Sequence, residues 1–442
     1  MSAQNFWFLL PTELVQHILV YCDPRDVASF SRTSTFFRDL VYSKDSYLWR
    51  QLMLANYDDP QRAHRLTETV SSSSSEIDWK TEVQNRSEAE IIAFCYRWEP
   101  VEHVRERRRM LETFVSAIKD ALPVSLDGKP SLNVLWLDRV LRESMILQLP
   151  NLPNEAQLCS RMRSYITLTH NFDDPSETDA HLTDRRTDSR CFVYDFRRYG
   201  ADNHWGPFFP DQSINWVHVE ALVNVIVMNI RELPEAWFTT MPPLGLEATR
   251  AFSAPDCHRS EDWAGVEGSW RRYVCFMDYR DLFAFNYANI AGGPRNPSFF
   301  KDSRFREATR LIEVKLHLIS RDQFHFDNYD AQGESSSHPL YPTLYFAGES
   351  RGLTGPEANI EGHVKVAEDG TIRWRFYDTI QGMSHSGRMQ WCSHGIQLGN
   401  AQSAMGIIGN YSTRDHDEGD PVGPFWLFKV QNNYAGKLLD FV

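Results

Sequence analysis

At 442 residues, 42% hydrophobic and 24% charged, the chain has an ordinary globular mix and length for roughly two or three cores, which excludes wholesale disorder. Its formal charge of -13 has the wrong sign for a general grip on nucleic acid. The longest apolar stretch outside the N-terminus, residues 217–230, is too short to span a membrane and is broken by His218, Glu220, Asn224 and Asn229. Seven scattered cysteines, odd in number and without a CxxC pair, fit a reducing compartment, cytoplasmic or nuclear, better than a disulfide framework.

The first elements are short helices. Leu10-Pro11-Thr12-Glu13-Leu14 opens one, because a first turn tolerates proline's missing N–H and Glu13 suits the positive helix start. Leu14, Ile18 and Cys22 then recur at helical spacing. Asp23 is placed to cap a second helix with Pro24 at its first position and Asp26 in its first turn, after which Val27 and Phe30 fall on one side. Ser34 starts a third through Phe36, Phe37, Leu40 and Val41, before Ser43-Lys44-Asp45 breaks the pattern and Tyr47-Leu48-Trp49 restores an apolar cluster. Phe6-Trp7-Phe8-Leu9-Leu10 is too short for a signal-peptide core and lacks a basic flank. A unit of roughly 45 residues buries too little surface to stand alone, so it calls for a partner or a neighbouring domain.

In chain order, Leu10-Pro11-x-Glu13-Leu14, Ile18-Leu19, Asp23-Pro24-x-Asp26, Ser31-Arg32-Thr33-Ser34, Phe37-Arg38 and Leu48-Trp49-Arg50 resemble the F-box family over residues 1–55. The resemblance implies a three-helix F-box docking on a Skp-type adaptor, which hangs on a cullin scaffold that carries the ubiquitin-transfer machinery. It implies adaptor-binding roles for Leu10, Pro11, Glu13, Leu14, Ile18, Leu19 and Trp49.

Residues 56–87 are polar and include the Ser71–Ser75 run, which reads as a flexible linker. Residues 88–255 read as a mostly helical middle: Ile91, Ile92, Cys95 and Tyr96 recur at helical spacing, and residues 104–122 and 132–149 continue the pattern. Arg105, Arg107, Arg108 and Arg109 alternate with Glu102, Glu106 and Glu112, as on a salt-bridged helix face. A polar, Asp-rich passage over 173–188 and Gly206-Pro207-Phe208-Phe209-Pro210 precede a helix around 216–233, with Leu222, Val223, Ile226, Val227 and Ile230 on its core face.

Residues 256–442 change character, with strands expected at 270–285, 311–319, 343–346, 363–366, 371–377, 389–395, 405–411 and 425–430. Glu368-Asp369-Gly370-Thr371 carries a tight-hairpin signal. The predicted fold class is α+β: an N-terminal helical unit, a helical middle and a C-terminal antiparallel β-barrel-like unit, closure removing exposed edges. No WD-type or leucine-rich period is present. Residues 192–199, 270–276, 372–376 and 420–426 also resemble uncharacterised fungal F-box domain-containing proteins, which implies shared architecture and little about cargo.

Gly348-Glu349-Ser350-Arg351-Gly352 spells a nucleophile elbow, but Leu353-Thr354-Gly355-Pro356 breaks the helix an elbow requires, so Ser350 is read as non-catalytic. Asp415-His416-Asp417-Glu418-Gly419-Asp420 lacks the calcium-loop spacing and reads as an exposed acidic loop. Cys257-His258 and Cys392-x-His394 could supply four zinc ligands only across more than a hundred residues, so packed side chains are the expectation. Trp270, Trp374, Trp391 and Trp426 read mainly as barrel core. No nucleotide-binding motif occurs, and no catalytic residue, cofactor or metal is assigned. The expected function is the substrate-recognition subunit of an Skp, cullin and F-box ubiquitin ligase, with the β unit capturing an unknown protein cargo. The alternative is an adaptor-bound ligand-sensing or assembly module without ubiquitin output.

Overall fold

The computed structural model describes residues 10–43, 47–64, 77–95, 104–124, 128–149, 151–152, 154–172, 179–233, 240–256, 261–288, 293–302, 304–326, 340–380, 389–436 and 438–441. They form two compact units, divided after Leu158. No described helix is long and apolar enough to cross a membrane.

The first unit is helical. α1 (Thr12–Leu19) begins on Pro11, whose carbonyl accepts from the Leu14 and Val15 amides at 3.0 and 3.2 Å. Asp23 caps α2 (Pro24–Ser31) by accepting from the Arg25 amide, and Ser34 caps α3 (Thr35–Val41) by accepting from the Phe37 amide. Tyr47–Asn56 forms a further helix, α4, where the sequence suggests only a closing cluster. Its buried Leu48, Trp49, Leu52 and Met53 keep helical spacing past the expected end.

Ser71–Ser75 lie outside the described residues. On either side the chain is anchored. The buried Asp58 carboxylate accepts from the Leu122 and Leu132 amides, both at 2.8 Å, and from the Ser131 hydroxyl, so it ties down the start of α7 (Leu132–Ser144). Residues 79–87, read from sequence as the end of a linker, are helical: α5 (Trp79–Cys95) buries Trp79, Val83, Arg86, Glu90 and Ala93 on one stripe. Arg86 and Glu90 disguise that stripe. Arg86 pairs with Glu82 and lies 5.3 Å from the Tyr57 ring, while Glu90 accepts from Trp136 Nε1 at 2.8 Å and Arg139 at 2.9 Å. Along α6 (Val104–Lys119) the arginine run is ion-paired as expected, Arg108 with Glu112 and Arg109 with Glu88, while Arg107 turns inward to buried Glu155 at 2.9 Å.

Among the described residues the second unit holds α8 (Ala156–Ile166) from Cys159 onward, α9 (Thr169–Phe172), α10 (Asp179–Val193), α11 (Trp216–Arg231) and nine strands. The helices after residue 158, read from sequence as part of the helical middle, thus share a unit with the strands. The strands are β1 (Gly268–Met277), β2 (Glu307–Ile319), β3 (Leu344–Gly352), β4 (Gly355–Val366), β5 (Ile372–Ile380), β6 (Met389–Gln397), β7 (Ile407–Thr413), β8 (Gly423–Val430) and β9 (Leu439–Phe441). Each of the first eight pairs antiparallel with the next, and β8 returns to β1, so the sheet is a closed up-and-down barrel. β9 pairs with the part of β2 that β3 leaves open. The expected 270–285 strand stops at Met277, because Asp278 accepts from the Arg280 amide and starts α12 (Tyr279–Tyr287). The Asp369-Gly370 turn joins β4 to β5 as read, with Gly370 at φ +75°.

Register fixes which side chains enter the barrel. Trp270 and Arg272 of β1 stand opposite Val314 and Ile312, and the same parity carries Phe346, Val364, Trp374, Phe376, Gly395, Phe425 and Leu427 inward. Rings fill the lumen: Trp270 meets Trp374 edge-on at 5.7 Å and Phe376 meets Phe425 at 5.4 Å. Gly362 is small by necessity, since a Cβ there would come within 2.5 Å of Phe346 and Phe376. Amid these rings sits Arg272, bonded to Asp378 at 2.9 Å and to the Ser393 hydroxyl at 2.8 Å, its guanidinium 4.9 Å from the centroids of Phe376 and Phe425. On the outside, the almost fully buried α11 packs against β1, β7 and β8. This explains why every residue of β8 is buried and why its sequence does not alternate. Trp426 points to this outer layer and donates to the Met405 carbonyl, and Trp391 lies half-buried near Tyr411.

Candidate functional site

Helix α1 has two apolar faces. Val15 and Leu19 are buried at 0% and 5% exposure, whereas Leu14 (50%), Ile18 (46%) and, just beyond the helix, Tyr21 (80%) follow one another at helical spacing on the surface. Pro11 and Glu13 are exposed at the helix start, with Leu10 half-buried beside them. The sequence-predicted residues Leu10, Pro11, Glu13, Leu14 and Ile18 therefore cluster at one end and side of α1. Leu19 and Trp49 do not join them: both face inward, and Trp49 donates from Nε1 to the Val41 carbonyl at 2.8 Å while stacking on Tyr42. These two residues hold the helices from beneath. A row of exposed large apolar side chains over a buried row is the form of a docking ridge.

The second unit carries a pocket on the outer face of the barrel, away from the packed lumen. Outward positions of β4 and β5 place Lys365 directly opposite Arg373 and His363 opposite Arg375, and Arg375 in turn faces His394 of β6. Residues 201–214 fold across this face and contribute His204, Phe208 and Gln212, partly covering a cleft of about 60 Å³ with no carboxylate in its lining among the described residues. The covering loop is fastened where Asn410 donates to the Trp205 carbonyl at 2.8 Å and Trp205 stacks on His416 at 4.3 Å. His204, Trp205 and Gln212 all have positive φ, at 54°, 52° and 65°, a sparsely populated backbone region that the surrounding contacts must maintain.

Like charges opposed across a sheet destabilise it, and partial burial sharpens the cost. Burial, then Arg373, draws Lys365 down from its ordinary 10.5 to about 8. Burial, with Arg321 second, holds His363 at about 4, and burial followed by Arg375 keeps His394 well below the usual imidazole range. Arg373 is 13% exposed, rests 5.1 Å from the Phe208 ring and lies 3.8 Å from Asp369, while its Nε is buried without a hydrogen-bond partner among the described residues.

Cys257 and His258 lie outside the described residues. Cys392, His394 and His416 do converge, their ligand atoms within 4.8 Å of one another. Burial, and after it Arg375, lowers the proton affinity of both imidazoles, while Asp420 and Asp415 act the other way on His416. Ser350 sits inside strand β3 with its side chain on the lumen side; its hydroxyl donates to the Ala358 carbonyl at 3.4 Å. Among the described residues no histidine is hydrogen-bonded to it. In the acidic loop Asp420 accepts from the Asp417 amide and the Thr413 hydroxyl. That loop is closed on itself.

The sequence offers His394 only as a candidate zinc ligand and residues 372–376 only as part of a resemblance, and it does not bring the pocket residues together. The signal was present in His363-x-Lys365 and Arg373-x-Arg375, which become neighbours once the Asp369-Gly370 turn fixes the register. His204 and Gln212 carry no such signal, because tertiary folding alone brings their loop there.

Comparison with known proteins bears on the first site. Residues 7–55 match the F-box-like family model. No curated protein and no solved structure matches the chain.

Proposed function

We propose that this F-box protein is the substrate-recognition subunit of an Skp, cullin and F-box ubiquitin ligase. The exposed ridge of Leu14, Ile18 and Tyr21, inside the segment that matches the family, carries the reading. In this reading Leu10, Pro11, Glu13, Leu14 and Ile18 contact the Skp-type adaptor, and Leu19 and Trp49 fix the shape of that face. The adaptor bridges to the cullin scaffold, and the second unit selects a protein cargo. The receptor needs no nucleophile of its own: holding cargo beside a charged ubiquitin carrier raises the effective concentration of a target lysine.

The test is co-purification of the full chain with the adaptor and cullin. Wild type is expected to retain both, while Leu14→Asp/Ile18→Asp loses both with its circular dichroism unchanged, because the substituted side chains are half exposed. Equal recovery of adaptor by the double variant would refute the assignment. The outer barrel pocket favours a second reading, an adaptor-bound ligand-sensing or assembly module. Adaptor recovered from cells without cullin would select it.

A further inference from the structure

We propose that the pocket on the outer barrel face binds one phosphate-class oxyanion, held by Lys365, Arg373 and Arg375 beneath the loop that carries His204 and Gln212. The inference does not depend on the adaptor reading.

The chain carries a net charge of -13, yet it gathers two arginines, one lysine and three histidines around a single small cleft with no lining carboxylate among the described residues. A strand pair under selection for stability alone would avoid Lys365 facing Arg373, since any neutral polar residue satisfies an outward strand position at lower electrostatic cost. An anion removes that cost by turning mutual repulsion into shared attraction.

The lining is chemically suited to such a ligand. Arginine presents a planar fork of donors that matches phosphate oxygens, and lysine adds a point charge. The buried Arg373 Nε has a hydrogen to give and no acceptor among the described residues. The Gln212 amide and neutral imidazoles each add an N–H donor. The inner volume of the cleft, about 60 Å³, is of the size of one tetrahedral group. A dianion reduces the mutual repulsion of Lys365, Arg373 and Arg375, which stand on adjacent positions of β4 and β5. A metal ion at the neighbouring Cys392, His394 and His416 would instead add positive charge beside Arg375.

The experiment is calorimetric titration of the full chain with sodium phosphate against a chloride reference of equal ionic strength, with hydrogen exchange of the β4 and β5 peptides in parallel. Wild type is expected to show saturable one-site binding and phosphate-dependent protection of those peptides. Lys365→Gln and Arg373→Gln should each weaken binding about 10-fold or more, the scale of one charge-assisted contact, and Lys365→Gln should not lower the phosphate-free protection. A glycine-flanked phosphoserine peptide identifies the source: tighter binding than inorganic phosphate means that the group arrives on a polypeptide, and the reverse order means a free anion. Absence of saturable phosphate binding in wild type, or unchanged affinity in both variants, overturns the proposal. So does zinc binding by wild type that is lost in His416→Ala while phosphate has no effect.

Discussion

Replacing Arg272 with methionine tests how the barrel lumen is held. The guanidinium and its partner carboxylate have side-chain exposures of 5% and 9%, so water screens neither. Methionine fills much of the same volume but removes the 2.9 Å bond to Asp378, the 2.8 Å bond to Ser393 and the contacts with the faces of Phe376 and Phe425. Asp378 is then a buried charge without its cation, and breaking such a pair from one side costs about 3–5 kcal/mol. Adding Asp378→Leu removes the orphaned charge, and the double variant should recover to within about 1 kcal/mol of wild type or exceed it. Because the chain has two compact units, a whole-chain melt would mix their transitions. Hydrogen exchange of β5 and β6 peptides reads the barrel directly: amides that open only globally should lose several kcal/mol of protection in Arg272→Met and regain it in the double variant. A single-variant loss under about 1 kcal/mol, or a double variant worse than the single, would refute the account of Arg272 as a paired ion within an apolar lumen. Adaptor recovery should be unchanged in both, since the ridge on α1 belongs to the first unit.

Asp58→Ala should destabilise the first unit by about 3–4 kcal/mol in hydrogen exchange of α7 peptides, because it leaves the Leu122 and Leu132 amides and the Ser131 hydroxyl without their buried acceptor; Asp58→Asn should fall between it and wild type. Lys365 gives a pH signature. Its folded pKa of about 8 lies below its ordinary 10.5, so between those values the unfolded chain binds more protons and stability rises with pH. Discounted for partial exposure, the gain is about 1–3 kcal/mol, and Lys365→Gln should abolish it. Sulfate, which does not titrate in this range, should bind more weakly as pH climbs through about 8 in wild type but not in Lys365→Gln. The charged and titratable groups facing Lys365 across the pocket are Arg373 and Arg375 from β5, His363 on its own strand, His394 from β6 and His204 from the covering loop, with Asp369 and the covering loop's Asp211 near Arg373. Ser350→Ala should change stability by less than about 1 kcal/mol, and wild type should not react with a fluorophosphonate; stoichiometric labelling at Ser350 would overturn its structural role.

Local chemistry made the helix starts legible. Asp23, Pro24 and Ser34 act where the sequence places them, and the Asp369-Gly370 turn fixes its hairpin. Tertiary partners hid other features. The stripe of α5 runs through Arg86 and Glu90, polar letters that become core only because Tyr57 and Trp136 receive them. Leu19 and Trp49 fit the motif but not the surface, since a motif records which residues are needed and not which way they face. The pocket was the least legible, because its walls come from loop 201–214 and three strands that register alone brings together.

Closure of the barrel by β1 and β8 also orders events during synthesis. The first unit is complete once residue 158 has left the ribosome, but β1 lacks its second neighbour until residue 430 emerges, on the order of tens of seconds later at ordinary elongation rates. During that interval β1 and each newest strand offer unpaired amides to other chains, and the long sequence separation makes the closing step intrinsically slow. Nascent chains thus complete the α1 ridge well before the structure that would choose a cargo. Premature termination between those points yields a fragment with that ridge and an open sheet, an aggregation-prone competitor of the intact protein.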